Sequence, residues 1–140
     1  MSHKKKKKQV IGRREWFSIP ELGVDWVRGK IDSGARTSSL HATEIETFER
    51  HGEKWVRFRT IDDLVCKAPV IFKKRVKSSN GVPSTRYFIE VTAETLDDRK
   101  HDLLVSLTCR KQMKCPLLLG RRALREFLVD CSRSQVLGKF

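Results

Sequence analysis

The sequence predicts an all-β domain: a small barrel with one short helix near its C-terminal end. Three observations carry this reading. Apolar residues recur at a spacing of two in several short runs, as strands half-buried in a sheet require. Turn-forming residues separate those runs at short intervals. Only one segment, Arg121 to Phe127, sets apolar residues (Ala123, Leu124, Phe127) at helical spacing. A chain of 140 residues suits one domain. Residues 11–140 are expected to fold, and residues 1–10 to form a disordered basic tail. Lys4 to Lys8 are of one sign and lack periodicity.

The elements follow in order. Trp16 to Ile19 reads as a strand that ends at Pro20. Asp25 to Ile31 is a second strand and leads into Asp32. Lys54 to Thr60 places Val56 and Phe58 on one face and Arg57 and Arg59 on the other. Val65 to Phe72 is apolar, and Pro69 assigns it to an edge or a bulge. Ser78 to Pro83 is a turn cluster in which Asn80-Gly81 signals a hairpin. Arg86 to Thr92 alternates Tyr87, Ile89 and Val91 with Phe88, Glu90 and Thr92. A polar turn, Asp97 to Lys100, precedes the apolar run Leu103 to Leu107. Pro116 opens the last expected strand, Leu117 to Leu119, and the helix follows. Strands in sequence with one helix favour a barrel over an α/β layer.

Composition narrows the setting. No run approaches the roughly 20 apolar residues that span a bilayer, so no membrane segment is expected. No apolar stretch follows the N-terminal lysines, and the expected location is cytoplasmic. Cys66, Cys109, Cys115 and Cys131 contain no C-x-x-C pair and are expected as free thiols. The net charge is +13, from 30 Lys and Arg against 17 Asp and Glu. The lysine run does not account for all of it. Such a protein is attracted to polyanions, whether RNA, ribosome or an acidic peptide. Several chemistries lack their residues: there is no His-Glu-x-x-His, no Gly-rich phosphate loop and no G-x-S-x-G. His3, His41, His51 and His101 share no ligand spacing, so no metal site is expected.

What is present is a carboxylate at the mouth of a turn, in Ile31-Asp32-Ser33-Gly34-Ala35. Gly34 permits close backbone approach or positive φ, and Ser33 can bond locally and stiffen the loop. In aspartic-protease half-sites two such carboxylates share one proton and activate a water molecule. Asp-Ser-Gly alone is also a good turn sequence. The second piece is Leu117-Leu118-Leu119-Gly120, followed by the helix. It resembles the apolar-apolar-Gly segment that backs the catalytic loop of retropepsins.

The resemblance then extends over most of residues 11–138. Ile11-Gly12-Arg13-Arg14-Glu15-Trp16, the block Lys30 to Ala42, Leu119-Gly120-Arg121-Arg122-Ala123-Leu124 and Phe127-Leu128-Val129-Asp130 are similar to the family named ATP-dependent zinc proteases. That family is associated with RimK-type glutamate ligases and includes RimB-like proteins. The resemblance implies a retropepsin-like barrel of a single lobe. It also implies proteolysis, linked to glutamate tails on a ribosomal protein. Zinc and ATP come only from the family name and find no supporting residues, so no cofactor is expected. The family more often has Thr where Ser33 stands, and Ser keeps the hydroxyl.

The expected site has Asp32 as the catalytic carboxylate, with Ser33, Gly34, Ala35, Leu119 and Gly120 supporting its loop. Arg36, Lys30 and His41 are candidate substrate contacts. Arg36 carries a tension. Paired directly with Asp32, its guanidinium would hold the carboxylate charged, which a shared-proton dyad does not tolerate. Pointing into the cleft, it could grip a substrate carboxylate as a fork. No second Asp-Ser/Thr-Gly occurs, so a two-carboxylate site requires a homodimer. The alternatives are a non-catalytic module that binds RNA, ribosome or acidic peptides, and a metal-dependent hydrolase.

Overall fold

Alternation at spacing two produces strands throughout the computed structural model, which describes residues 7–77, 81–111 and 113–140. The chain runs β1 (Gln9–Ile11), β2 (Arg14–Ile19), a 3-10 turn (Pro20–Leu22), β3 (Val24–Ile31), β4 (Ser38–His41), β5 (Thr43–Arg50) and β6 (Glu53–Arg59). It continues through β7 (Val65–Pro69), β8 (Phe72–Lys77), β9 (Pro83–Thr95), β10 (Lys100–Thr108), β11 (Leu117–Leu119), α1 (Arg121–Leu124) and β12 (Phe127–Val129). The expected all-β class with one short helix holds.

Six strands close a barrel in the order β10-β4-β11-β3-β2-β9, with β9 returning to pair with β10. Closure removes the free edges that an open sheet would expose. β8 extends β9 outside the barrel, β5-β6-β7 form a separate three-stranded sheet, and β1 pairs with β12. The inward residues Phe17, Ile19, Ile89, Val91, Val105, Leu117 and Leu119 fill the barrel and are almost fully buried. Each large side chain so buried contributes about 1.5–3 kcal/mol. Val56 and Phe58 are likewise buried while Arg57 faces solvent, as the alternation of β6 predicts. No helix among the described residues is long and apolar enough to cross a membrane.

Three boundaries differ from expectation. The helix stops at Leu124, and Phe127 opens β12 instead. Phe127 is buried and pairs in register with Gln9. A pairing strand there satisfies more backbone groups than a second helical turn could, and four residues are below the length at which helix propensity sustains itself. Gln9 and Val10, expected in the tail, form β1 for the same reason; Gln9 is buried and donates to the Asp97 carboxylate at 2.6 and 2.7 Å. The apolar run Val65 to Phe72 divides into β7 and β8, with Pro69 ending β7 on the edge of its sheet. The expected turn at Ser78, Ser79 and Asn80 lies outside the described residues; the flanking strands pair antiparallel, Lys77 opposite Pro83.

Candidate functional site around Asp32

The site is built where β11 slides between β3 and β4. It pairs parallel with β3 (Leu117 to Leu119 opposite Gly29 to Ile31) and antiparallel with β4 (Leu117 opposite Leu40, Leu118 opposite Ser39). β3 therefore delivers Asp32 directly beside the end of β11. The Asp32 amide donates to the Leu119 carbonyl at 2.9 Å, and the Ile31 amide to the Arg13 carbonyl at 3.0 Å. The turn then closes on itself: the Ala35 amide bonds the Asp32 carbonyl at 3.2 Å, and the Gly34 amide donates to Asp32 Oδ1 at 3.0 Å.

Gly120 shows why the Leu-Gly pair matters. A Cβ there would stand 2.5 Å from the Thr37 carbonyl oxygen and 2.8 Å from that of Ala35. Only glycine lets the two segments pass so closely. Beyond it, the Arg121 amide donates to the Ala35 carbonyl at 2.7 Å, and the Gly120 amide to Ser38 Oγ at 3.1 Å. Leu119 and Gly120 do back the Asp32 loop, through backbone contacts. Gly34 is needed for approach, since a Cβ there would lie 3.1 Å from Asp32 Oδ1, and it does not occupy the left-handed region.

Asp32 is partly exposed, its side chain at 32%. Its Oδ2 faces Lys30 Nζ at 4.0 Å, an exposed ion pair of small energy. Arg36 is exposed and does not pair with Asp32 among the described residues, and the cation that faces the carboxylate is Lys30 instead. The Ser33 side chain is exposed and forms no hydrogen bond among the described residues. The loop is stiffened instead through the Ser33 and Gly34 carbonyls, which accept from Arg121 Nη1 at 3.1 and 3.2 Å. Arg121 was not anticipated as a loop anchor. Its place directly after the Leu-Gly segment is the signal that could have shown it.

His41, expected as a substrate contact, is instead buried. Its Nδ1 accepts the Arg110 amide at 2.8 Å. Burial, then the positive charges of Arg110 and Lys111, hold its pKa below the usual histidine range. Arg110 is also buried, and its guanidinium donates to the Cys115 carbonyl at 3.0 Å and to Ser39 Oγ at 3.1 Å. Burial, and then the positive charge of Arg86, lower the Arg110 pKa, while the Asp32 carboxylate acts in the opposite direction. This knot joins β4, β10 and the approach to β11 from behind. Nothing in the local sequence of Arg110 announces it.

No three His, Cys, Asp or Glu side chains among the described residues gather as a metal ion would require. The donor set therefore does not fit zinc.

A β11 strand threaded between two neighbours beside an Asp-Ser-Gly turn agrees with a sequence match over residues 10–139 to the RimB-like family, described as retropepsin-like aspartic endopeptidase RimB. The chain belongs to the RimB-like family. Its barrel is thus the single retropepsin-like lobe expected from the sequence. A crystal structure of a Legionella pneumophila protein of unknown function superposes with a TM-score of 0.78, covering 94% of this chain and 99% of the other at 24% identity, and shows the same fold. Two curated relatives bear the name probable alpha-L-glutamate ligase. The one from Shewanella halifaxensis is 41% identical over 94% of this chain, and the one from Desulfotalea psychrophila 40% identical over 87%. The chain spans only 30% and 28% of their respective lengths.

Proposed function

We propose that this RimB-like domain is an aspartic-type peptidase acting on acidic, glutamate-rich chains, with Asp32 as its catalytic carboxylate. The observation that carries the reading is the Asp32 loop. A partly exposed carboxylate sits at the end of β3 and accepts from the Gly34 amide, while the Leu119 carbonyl holds the Asp32 amide and Arg121 holds the Ser33 and Gly34 carbonyls; Arg36 makes no pair with it. Family membership supports the same chemistry.

Two copies of the chain would bring two Asp32 carboxylates together, sharing one proton. The ionised member takes a proton from water as the water oxygen bonds to the peptide carbonyl carbon. The protonated member gives its proton to the carbonyl oxygen, which becomes the second hydroxyl of a tetrahedral diol. A proton then passes to the peptide nitrogen, the C–N bond breaks, and a carboxylic acid and an amine leave. No covalent enzyme intermediate forms. Lys30 and Arg36, beside the loop, supply positive charge for a carboxylate-rich substrate.

The relatives' name gives the reading its context. A domain that removes glutamates, carried within proteins named for joining them, would reverse the ligation. The decisive experiment incubates the protein and an Asp32→Asn variant with an oligoglutamate-tailed peptide and follows products by mass spectrometry. Cleavage should fall by about 10³-fold or more in the variant, the scale seen when the central group of a catalytic unit is removed. Equal product from both proteins would overturn the mechanism. A non-catalytic binding module is the second reading, favoured by the net charge of +13. It predicts steeply salt-dependent RNA affinity with no cleavage of any peptide.

A further inference from the structure

Three concavities adjoin along one side of α1. The first, about 590 Å³, lies beside the Asp32 loop and is walled by Arg36, Lys74, Arg121, Arg122, Arg125 and the Phe72–Phe88 stack. The second shares Thr37, Arg122 and Arg125 with the first. The third shares Asp102, Arg125 and Glu126 with the second, and opens onto Lys7, Lys8, Arg99 and Lys100. Shared wall residues set the three side by side, as a segmented groove running past Arg125. At one end Arg121 bonds the Ser33 and Gly34 carbonyls of the Asp32 turn. At the other end stand the described lysines of the N-terminal run.

The first concavity is walled by Arg36, Lys74, Arg121, Arg122 and Arg125 and by no acid. On the β5–β6 sheet, Arg57 pairs with Glu46, and Arg59 with Glu44 and Asp63. At the distal end of the groove Arg99 pairs with Asp97 and Lys100 with Glu94, and His101 Nδ1 lies 3.6 Å from the Glu126 carboxylate. Arg36, Lys74, Arg122 and Arg125 form no ion pair among the described residues. In the first concavity these cations cluster without an acid, whereas Asp102 and Glu126 line the second and third. Clustered cations repel one another, and the field they create beside the Asp32 loop attracts an anion. Phe72 stacks on Phe88 at 4.3 Å and 14°, and Phe88 is buried. The pair is one platform, not the succession of free ring faces on which single-stranded nucleic acid stacks. Separate guanidinium forks suit separate carboxylates.

We propose that this groove is a track for an acidic peptide, holding the glutamate-rich chain that extends away from Asp32, with Lys7 and Lys8 gripping its distal part. The proposal rests on the peptidase reading for its substrate, and binding tests it independently of cleavage.

The probe is a fluorescent oligoglutamate of about ten residues, roughly 33 Å when extended. Its anisotropy is followed on the Asp32→Asn protein, so that the probe is not consumed. The double variant Arg122→Gln/Arg125→Gln should weaken binding about tenfold. Lys7→Gln/Lys8→Gln should weaken it about threefold, and only for the long probe, not for one of about three residues. Arg57→Gln/Lys67→Gln on the β6–β7 pair removes the same charge and should leave binding unchanged; thermal melting verifies that all variants fold. Equal losses in groove and control variants would overturn the track. So would tighter binding of a single-stranded RNA of similar length with the same arginine dependence. Groove-dependent binding without any Asp32-dependent cleavage would remove the peptidase reading and leave the track standing. Asp32-dependent cleavage whose KM ignores Arg122 and Arg125 would remove the track alone.

Discussion

Arg121 and Arg110 both spend their guanidinium groups on uncharged oxygen acceptors, Arg121 in water and Arg110 out of it. Arg121 is exposed and reaches the carbonyls of Ser33 and Gly34. Arg110 is buried and ties the Cys115 carbonyl to Ser39, while its amide holds His41. Water competes for the first set of bonds and not for the second, so the same kind of contact has a different worth in each place. The front of the site is held in position but cheaply adjusted. The back is where stability is concentrated.

Three substitutions test that contrast, the largest effect first. Arg110→Met keeps much of the volume but strands buried acceptors, and should lower the unfolding free energy by about 3 kcal/mol in urea titration. A loss below about 1 kcal/mol would mean that water already reaches the knot. Arg121→Gln should change stability by less than about 1 kcal/mol, since its bonds are exposed. Peptide cleavage should nevertheless fall about tenfold or more as the Asp32 turn loses its position. Parallel losses of melting temperature and turnover would erase the distinction between the two arginines.

The third is a pH effect and the smallest. In the fold His41 stays neutral to accept the Arg110 amide, and its pKa is depressed from 6.5. The unfolded chain therefore takes up a proton on His41 at higher pH than the folded one. The stability this residue contributes is complete above about 6.5 and declines as pH falls from there through the depressed native value. His41→Asn keeps an acceptor oxygen and removes the titration. Its melting temperature should fall less between pH 7 and pH 5 than that of the parent protein, and an identical decline would show that other groups govern the acid limb.

The same contrast explains what the sequence revealed. β3, β6 and β9 are legible because apolar and polar residues alternate, as Val56 and Phe58 do against Arg57, and β2, β10 and β11 because short apolar runs are bounded by Pro20, Asp97 to Lys100 and Pro116. The Asp32 turn and its Leu119-Gly120 backing are legible because close approach restricts residue type. β4 is not legible: all four residues from Ser38 to His41 are buried, so no alternation remains. β12 was hidden because Phe127 also fits a helical spacing from Ala123 and Leu124. Only its pairing with distant Gln9 decides between the two. The Arg110 knot has no period at all, since its partners lie on distant β4 and at Cys115. Net charge points to an anionic partner, but it does not say that Arg36, Lys74, Arg122 and Arg125 gather beside the Asp32 loop.

The pairing of β3 with β11 has a consequence in time. Arg121 and Ser33, which together fix the Asp32 turn, lie 88 positions apart in the chain. Contacts of such separation form late, after local hairpins such as β5–β6 and β9–β10 have closed, because ordering the intervening chain comes first. Synthesis adds its own order, since the N-terminal portion emerges before β11 exists. The Asp32 turn therefore has no fixed shape in a nascent or half-folded chain, and whatever chemistry it performs begins only when the barrel is complete.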